Sequence, residues 1–355
     1  VTLTDTVNYV HAPFNPPDSA FTLIIELPRF KQPVVYSFDP LEDAAKISQP
    51  PNANELSILD YVQRSDPMYA MSPSEKSIIW KHRRRLMKHP NSLRCILLAT
   101  QWNNADNVRE IHYLLDQWSK LEPYRALELL DCKFADERVR TFAVQCLEPL
   151  SDAEMEELML QFVQVLKYES YHDSSLARFL LHRALRNKAL VGHAFFWNLR
   201  GEIVVPEFSE RFAFLAEIYL RCCEEHRGEL VKQVEMVSKL NRIAVAIQKI
   251  PLGKRNDALR KQLQSTHFKK DVQLPSSPAV TVHTLEIAKC KAKDSFTAPL
   301  WLVWRLSDWT PVDSFLPAIF KVGDDLRQDC LSLQAIRIMD NVPSASVLLV
   351  YSLLF

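Results

Sequence analysis

Ala318-Ile319-Phe320-Lys321-Val322-Gly323-Asp324-Asp325-Leu326-Arg327-Gln328-Asp329 lies near the C-terminal end of this chain of 355 residues. It reads as a short strand ending in a lysine, a glycine turn, then a helix start. Asp325 is placed to cap the free N–H groups of that helix, and Gln328, three residues on, to reach back in a capping box. Leu326, Cys330, Leu333 and Ile336 follow at helical spacing. A lysine at a strand end beside an acidic turn is one way to hold a nucleotide phosphate, because its ammonium is a point charge open to approach from several directions.

Working outward, two more runs read as strands before it, Leu285–Cys290 and Leu300–Leu306. Residues 266–283 are polar, with Pro275-Ser276-Ser277-Pro278, and read as a linker. From 73 to 265 the pattern is helical almost without break. Pro73 suits the first turn of a helix capped by Ser72, and Ser74–His89 carries Ile78, Ile79 and Leu86. Asp136–Leu147 puts Val139, Phe142, Ala143, Cys146 and Leu147 on one apolar stripe. Ser151-Asp152-Ala153-Glu154 is a capping box for the next helix. Phe208–Glu225 and Leu230–Ile250 are longer helices. Short turns between helices of similar length predict antiparallel neighbours in a HEAT-like array without a strict repeat. Residues 49–72 read as a linker holding a helical turn at Ile58–Val62. Residues 1–48 read as β structure, with alternation over Phe21–Leu27 and a second short strand at Pro33–Tyr36.

The charge balance is 43 basic against 43 acidic residues, which leaves no footprint for nucleic acid and only local patches for an anionic membrane. Seven cysteines without Cys-x-x-Cys argue for reduced thiols in the cytosol and against a disulfide framework. The ten histidines show no metal spacing, and there is neither a Gly-x-Gly-x-x-Gly nor a Walker loop. His172-Asp173-Ser174 resembles a triad only in composition; adjacent residues read as a turn with a helix cap at Asp173. The basic run Trp80–Lys88 reads as a solvated helix face with internal ion pairs, ahead of a lipid or partner contact. The closing run Val347–Phe355 is apolar but too short to span a bilayer.

Phe320-Lys321-Val322-Gly323-Asp324-Asp325-Leu326-Arg327-Gln328-Asp329 resembles the small-lobe signature of the phosphoinositide 3-kinases: Phe-Lys, any residue, then Gly-Asp-Asp-Leu-Arg-Gln-Asp. Leu127–Cys132, Val139–Val144, Gln164–Glu169, Arg178–Leu181 and Gly192–Trp197 resemble that family's helical domain, and Pro299–Leu302 the strand after its phosphate loop. The likeness is greatest to the class I enzymes. It implies a mainly α chain in which 1–48 ends a C2 β-sandwich, 73–265 is the helical (PIK) domain and 284–341 opens an α+β kinase small lobe. Residues 342–355 resemble nothing in the family.

The function implied is ATP- and Mg²⁺-dependent phosphorylation of the 3-hydroxyl of phosphoinositides, at the membrane periphery and with a regulatory subunit. By the same resemblance Ser295, Pro299, Trp301, Lys321, Asp324 and Asp329 line the nucleotide site, with Lys321 on the phosphates. The chain departs from the pattern in three places. Phe296-Thr297-Ala298 stands where basic residues usually follow Ser295. Met68–Ser74 lacks the acids that dock a regulatory subunit. Neither the Asp-Arg-His…Asn catalytic loop nor Asp-Phe-Gly occurs. The expectation is therefore a kinase portion inactive alone, the alternative being a non-catalytic helical scaffold for regulatory proteins.

Overall fold

The computed structural model describes residues 50–64, 69–307, 314–323 and 325–341. The strands expected in 1–48, the tail 342–355 and the candidate residue Asp324 lie outside the described residues.

Among the described residues, fourteen α-helices precede the sheet: α1 Ala53–Arg64, α2 Pro73–Lys81, α3 Arg83–Leu86, α4 Leu93–Ala99, α5 Ala105–Gln117, α6 Pro123–Leu127, α7 Glu137–Leu147, α8 Asp152–Glu157, α9 Met159–Val165, α10 Ser175–Arg186, α11 His193–Glu202, α12 Ser209–Cys222, α13 His226–Gln248 and α14 Arg255–Ser265. Five strands follow, β1 Val272–Leu274, β2 Ser277–Leu285, β3 Lys291–Ala292, β4 Leu300–Leu306 and β5 Phe315–Phe320, and then α15 Arg327–Asn341. The described residues are mainly α with one small antiparallel sheet.

Several starts lie where the sequence puts them, for local reasons. Ser72 and Glu75 form a reciprocal capping box at α2, with Pro73 in the first turn, and Ser151 and Glu154 do the same at α8. Asp136 caps α7 through the N–H groups of Arg138 and Val139. At α10 the cap is Ser174, not Asp173; Asp173 instead forms a 2.5 Å pair with Arg178. Gly192, between α10 and α11, marks a close approach: a Cβ there would lie 2.0 Å from the Tyr219 hydroxyl and 2.7 Å from the Ala184 carbonyl.

Four further expectations need correction. Residues 49–72 hold the three-turn helix α1, whose Leu59 and Val62 enter the core, so the helical turn expected there extends at both ends. The helix read over Ser74–His89 breaks at His82 into α2 and α3. Residues 266–283 are not a linker: Pro275-Ser276 is a two-residue turn joining β1 to β2, with Leu274 opposite Ser277. Proline and serine mark a hairpin as readily as a loop, which is why composition misled. Leu285–Cys290 is likewise no strand; β2 ends at Leu285 and a 3₁₀ turn covers Ile287–Lys289.

Two hydrophobic cores result. One runs from Leu59 to Leu230 through the helical layers, and the other joins Met236, Leu240, Ile243, Ala244 and Ile247 of α13 to the inner face of the sheet. On β4, Leu300, Leu302 and Trp304 turn inward at 2% exposure or less, and Val303 between them is buried as well.

The helical layers also carry a buried ion pair. Arg140 of α7 donates to Glu169 at 2.6 and 2.8 Å, both side chains being under 7% exposed, and to the carbonyls of Leu130 and Phe134 at 3.0 and 3.2 Å. Removing one partner strands the other charge. Arg140→Met is therefore expected to lower unfolding free energy by about 3–5 kcal/mol in a urea titration, and Arg140→Met with Glu169→Leu to lose much less.

Candidate functional site

Strand pairing brings the predicted residues to one end of the sheet. β4 pairs antiparallel with β5 over Leu300↔Phe320 to Arg305↔Phe315, and with β3 over Lys291↔Trp301 and Ala292↔Leu300. The loop entering β4 and the residue leaving β5 are therefore neighbours. Ser295 and Pro299 lie in that loop, and Lys321 directly follows β5. Trp301, half-buried, sits on the outer face opposite Ile319, which is 52% exposed.

The loop is folded on itself. The Lys293 N–H donates to the Pro299 carbonyl at 2.8 Å, and the Ala298 N–H to the Ser295 carbonyl at 3.1 Å. Ala298 is buried at φ 43°, in the left-handed region that costs a non-glycine residue about 1–2 kcal/mol. Ser295 and Phe296 are exposed, Phe296 at 97%. No basic side chain follows Ser295, but the Lys293 ammonium stands 4.7 Å above the Trp301 ring, which puts a cation on the outer face from the other side of the serine.

Two residues from the helices hold this end together, and sequence reasoning did not find either. Gln248, the last residue of α13, donates to the Thr297 carbonyl at 2.9 Å and to the Val322 carbonyl at 3.3 Å, tying the loop to the residue after Lys321. Arg255 donates to the Ser295 carbonyl at 2.9 Å. A polar side chain at a helix end carries no periodic signal, so only the fold reveals them.

Beyond Lys321 the chain turns at Gly323, whose φ of +90° favours glycine. The expected capping box is replaced by another arrangement. Asp325 Oδ1 accepts from the Arg327 N–H at 3.1 Å, and its carboxylate pairs with the Arg327 guanidinium at 2.6 and 2.9 Å, so the partner is Arg327 rather than Gln328. The apolar spacing on α15 does not mark a buried stripe: Leu326 is 44% and Leu333 38% exposed, Cys330 is exposed, and the buried residue is Gln334 at 8%. Asp329 is exposed in the first turn of α15, about 200° around the helix from Arg327, and so points away from the side that Arg327 anchors. Among the described residues no group of three or more His, Cys, Asp or Glu is placed to hold a metal ion.

Elsewhere part of the basic run is absorbed internally, while Arg85 and Lys88 are exposed. Arg84 grips Glu110 at 2.7 and 2.9 Å, Arg83 adds 2.9 Å, and Lys81 reaches Glu55 at 2.8 Å. Burial works against ionisation of Glu110, but Arg84 and Arg83 outweigh it and hold the carboxyl below its usual range.

The family profile described as "Phosphoinositide 3-kinase family, accessory domain (PIK domain)" matches residues 47–232, more than half of the chain. The chain belongs to the phosphoinositide 3-kinase family. Phosphatidylinositol 3-kinase 2 of Dictyostelium discoideum is 42% identical over 277 residues, covering 78% of this chain and 15% of that protein. Phosphatidylinositol 3-kinase 1 of the same organism is 39% identical over 330 residues, 90% of this chain and 21% of the relative; phosphatidylinositol 3-kinase 3 is 36% identical over 307 residues, 83% and 18%. This phosphoinositide 3-kinase family chain thus spans about a fifth or less of the length of these relatives. An alignment of 330 residues extends past Lys232 into the sheet, so the likeness includes strands as well as helices. No described helix is long and apolar enough to cross a membrane.

The Asp325–Arg327 pair gives a pH test of the turn. Hydrogen bonding to Arg327 lowers the Asp325 carboxyl from 3.8 to about 2. A lowered folded-state value means the contribution is complete above the unfolded value and is lost as pH falls toward about 2. Carboxyl NMR titration is expected to show a midpoint near about 2, moving up toward 3.8 in Arg327→Gln.

Proposed function

We propose that the chain is the helical and nucleotide-wall portion of a phosphatidylinositol 3-kinase, which transfers the γ-phosphate of ATP to the 3-hydroxyl of a phosphoinositide at the membrane periphery. The observation that carries this reading is the juxtaposition, by the β4–β5 register, of Lys321 with the loop holding Ser295 and Pro299, beside Trp301. In this reading the helices form a HEAT-like array and residues 1–48 are the end of a C2 domain.

The chemistry of the wall suits a nucleoside triphosphate. Trp301 and Ile319 offer an apolar outer face, Lys293 holds its ammonium over the Trp301 ring, and Lys321 directly follows the strand that carries Ile319. ATP, when bound, supplies the phosphoryl group. The protein's part here is to orient it: Lys321 and the Ser295 hydroxyl take phosphate oxygens, and Trp301 and Pro299 shape the apolar wall. In this reading Asp324 and Asp329 also belong to the nucleotide site, as the resemblance of the signature implies. Magnesium ligands and a residue at the attacking hydroxyl are needed for transfer, and the 355 residues carry neither the catalytic-loop nor the Asp-Phe-Gly sequence that supplies them. The chain alone is therefore a wall of the site without the transfer step. The phosphoinositide and regulatory-subunit contacts belong to the same reading.

Titration with a fluorescent ATP analogue tests it. The chain is expected to bind the analogue, and Lys321→Ala to weaken binding about tenfold or more by removing a charge-assisted hydrogen bond. Incubated with ATP, Mg²⁺ and phosphatidylinositol vesicles, the chain is expected to form no 3-phosphorylated lipid. Unchanged binding in Lys321→Ala, or a phosphorylated product, overturns the assignment.

A further inference from the structure

The signature turn is joined to the helical layers by a polar contact that the proposed nucleotide site does not itself require. Glu202, at the end of α11, has a side chain only 3% exposed. It accepts from Gln164 at 2.6 Å and pairs with Lys167 at 2.8 Å, both within the helical layers. Its third partner is Arg327, whose Nη1 reaches Glu202 Oε1 at 3.1 Å from 125 residues further along the chain. The same guanidinium clamps Asp325 in the turn between Lys321 and α15. Burial raises the Glu202 carboxyl, but Lys167, Gln164 and Arg327 outweigh it and hold it below the usual range, so the acceptor is a carboxylate.

A second contact lies on the same side of α15. Gln334 follows Arg327 by seven residues, two helical turns, and so shares its face. It donates to the Glu157 carbonyl at 2.8 Å and to Gln161 Oε1 at 3.0 Å, and it is 8% exposed on a helix whose leucines stand open. The helix therefore meets α8, α9 and α11 through polar, geometrically exacting bonds rather than through its apolar residues. Charge-assisted contacts of this kind fix position more than they add stability.

We propose that Glu202, assisted by Gln161, is a positioning residue for the nucleotide site: through Arg327 it sets the place of the turn that follows Lys321, so that the helical layers determine the geometry of the phosphate-binding end of the sheet. The proposal rests on the nucleotide reading for its consequence and on the geometry of α15 for its substance. Any ligand of the helical layers that moves the end of α11 shifts this turn.

The test uses the full chain with two readouts, amide hydrogen exchange over residues 325–337 and affinity for the fluorescent ATP analogue. Glu202→Gln, which keeps shape and an acceptor but removes the charge, is expected to speed exchange in the first turns of α15 about tenfold and to weaken analogue binding several-fold. Lys167→Met, which disturbs Glu202 only on its helical side, is expected to leave α15 exchange within about twofold. In the Arg327→Gln background, Glu202→Gln is expected to add less than about twofold, since residues acting through one contact are not additive. Unchanged α15 exchange in Glu202→Gln, equal loosening by Lys167→Met, or full additivity in the double variant overturns the proposal. If α15 responds as expected but the wild-type chain binds no analogue, the nucleotide reading fails while the positioning contact stands. If the analogue binds but Glu202→Gln leaves its affinity unchanged, the positioning role is refuted while the nucleotide reading stands.

Discussion

Helix α13 is the constraint on which the rest of the structure depends. Its 23 residues cross both hydrophobic cores: Leu230 closes the helical layers, while Met236, Leu240, Ile243, Ala244 and Ile247 support the sheet. Its last residue, Gln248, holds the two backbone segments at the candidate site. One rigid element thus sets the distance between the helical core and the sheet end that carries Lys321. A helix of this length keeps its direction because successive turns are hydrogen-bonded, so displacement at one end is carried to the other.

Side contacts reinforce that axis. His193 of α11, 2% exposed, donates through Nε2 to the Pro275 carbonyl in the β1–β2 turn at 2.9 Å. The helical layers themselves are stitched by buried carboxylates drawing cations from far along the chain: Glu110 with Arg83 and Arg84, Glu169 with Arg140, Glu202 with Lys167. Desolvation cancels much of the attraction in such pairs, so their main effect is to admit one packing arrangement and penalise others. Part of the basic run Trp80–Lys88 has its physical explanation here, since Arg83 and Arg84 serve Glu110.

Local features were legible in the sequence and long-range polar ones were not. Ser72, Asp136 and Ser151 announce helix starts because a cap acts within three residues, and Leu300–Leu306 announces a strand because its apolar run matches the period. The signature Phe320–Asp329 disclosed the family, and the comparisons agree. It did not disclose that Asp325 turns to Arg327, or that α15 buries Gln334 instead of its leucines. Those choices are made by Glu202, Glu157 and Gln161, more than a hundred residues away. Pro275-Ser276 failed for a different reason: turn chemistry looks the same in a hairpin and in a linker until a partner strand is in place.

The central claim is that the helical layers and the strand end carrying Lys321 move as one body through α13. Native-state hydrogen exchange under increasing urea tests it most directly, by comparing slow amides of α10 and α11 with those of β4. The account predicts that both sets open in one cooperative step, and that Ile243→Ala lowers protection in both. Opening of β4 at lower urea while α10 and α11 stay protected, with Ile243→Ala affecting the sheet alone, would contradict it.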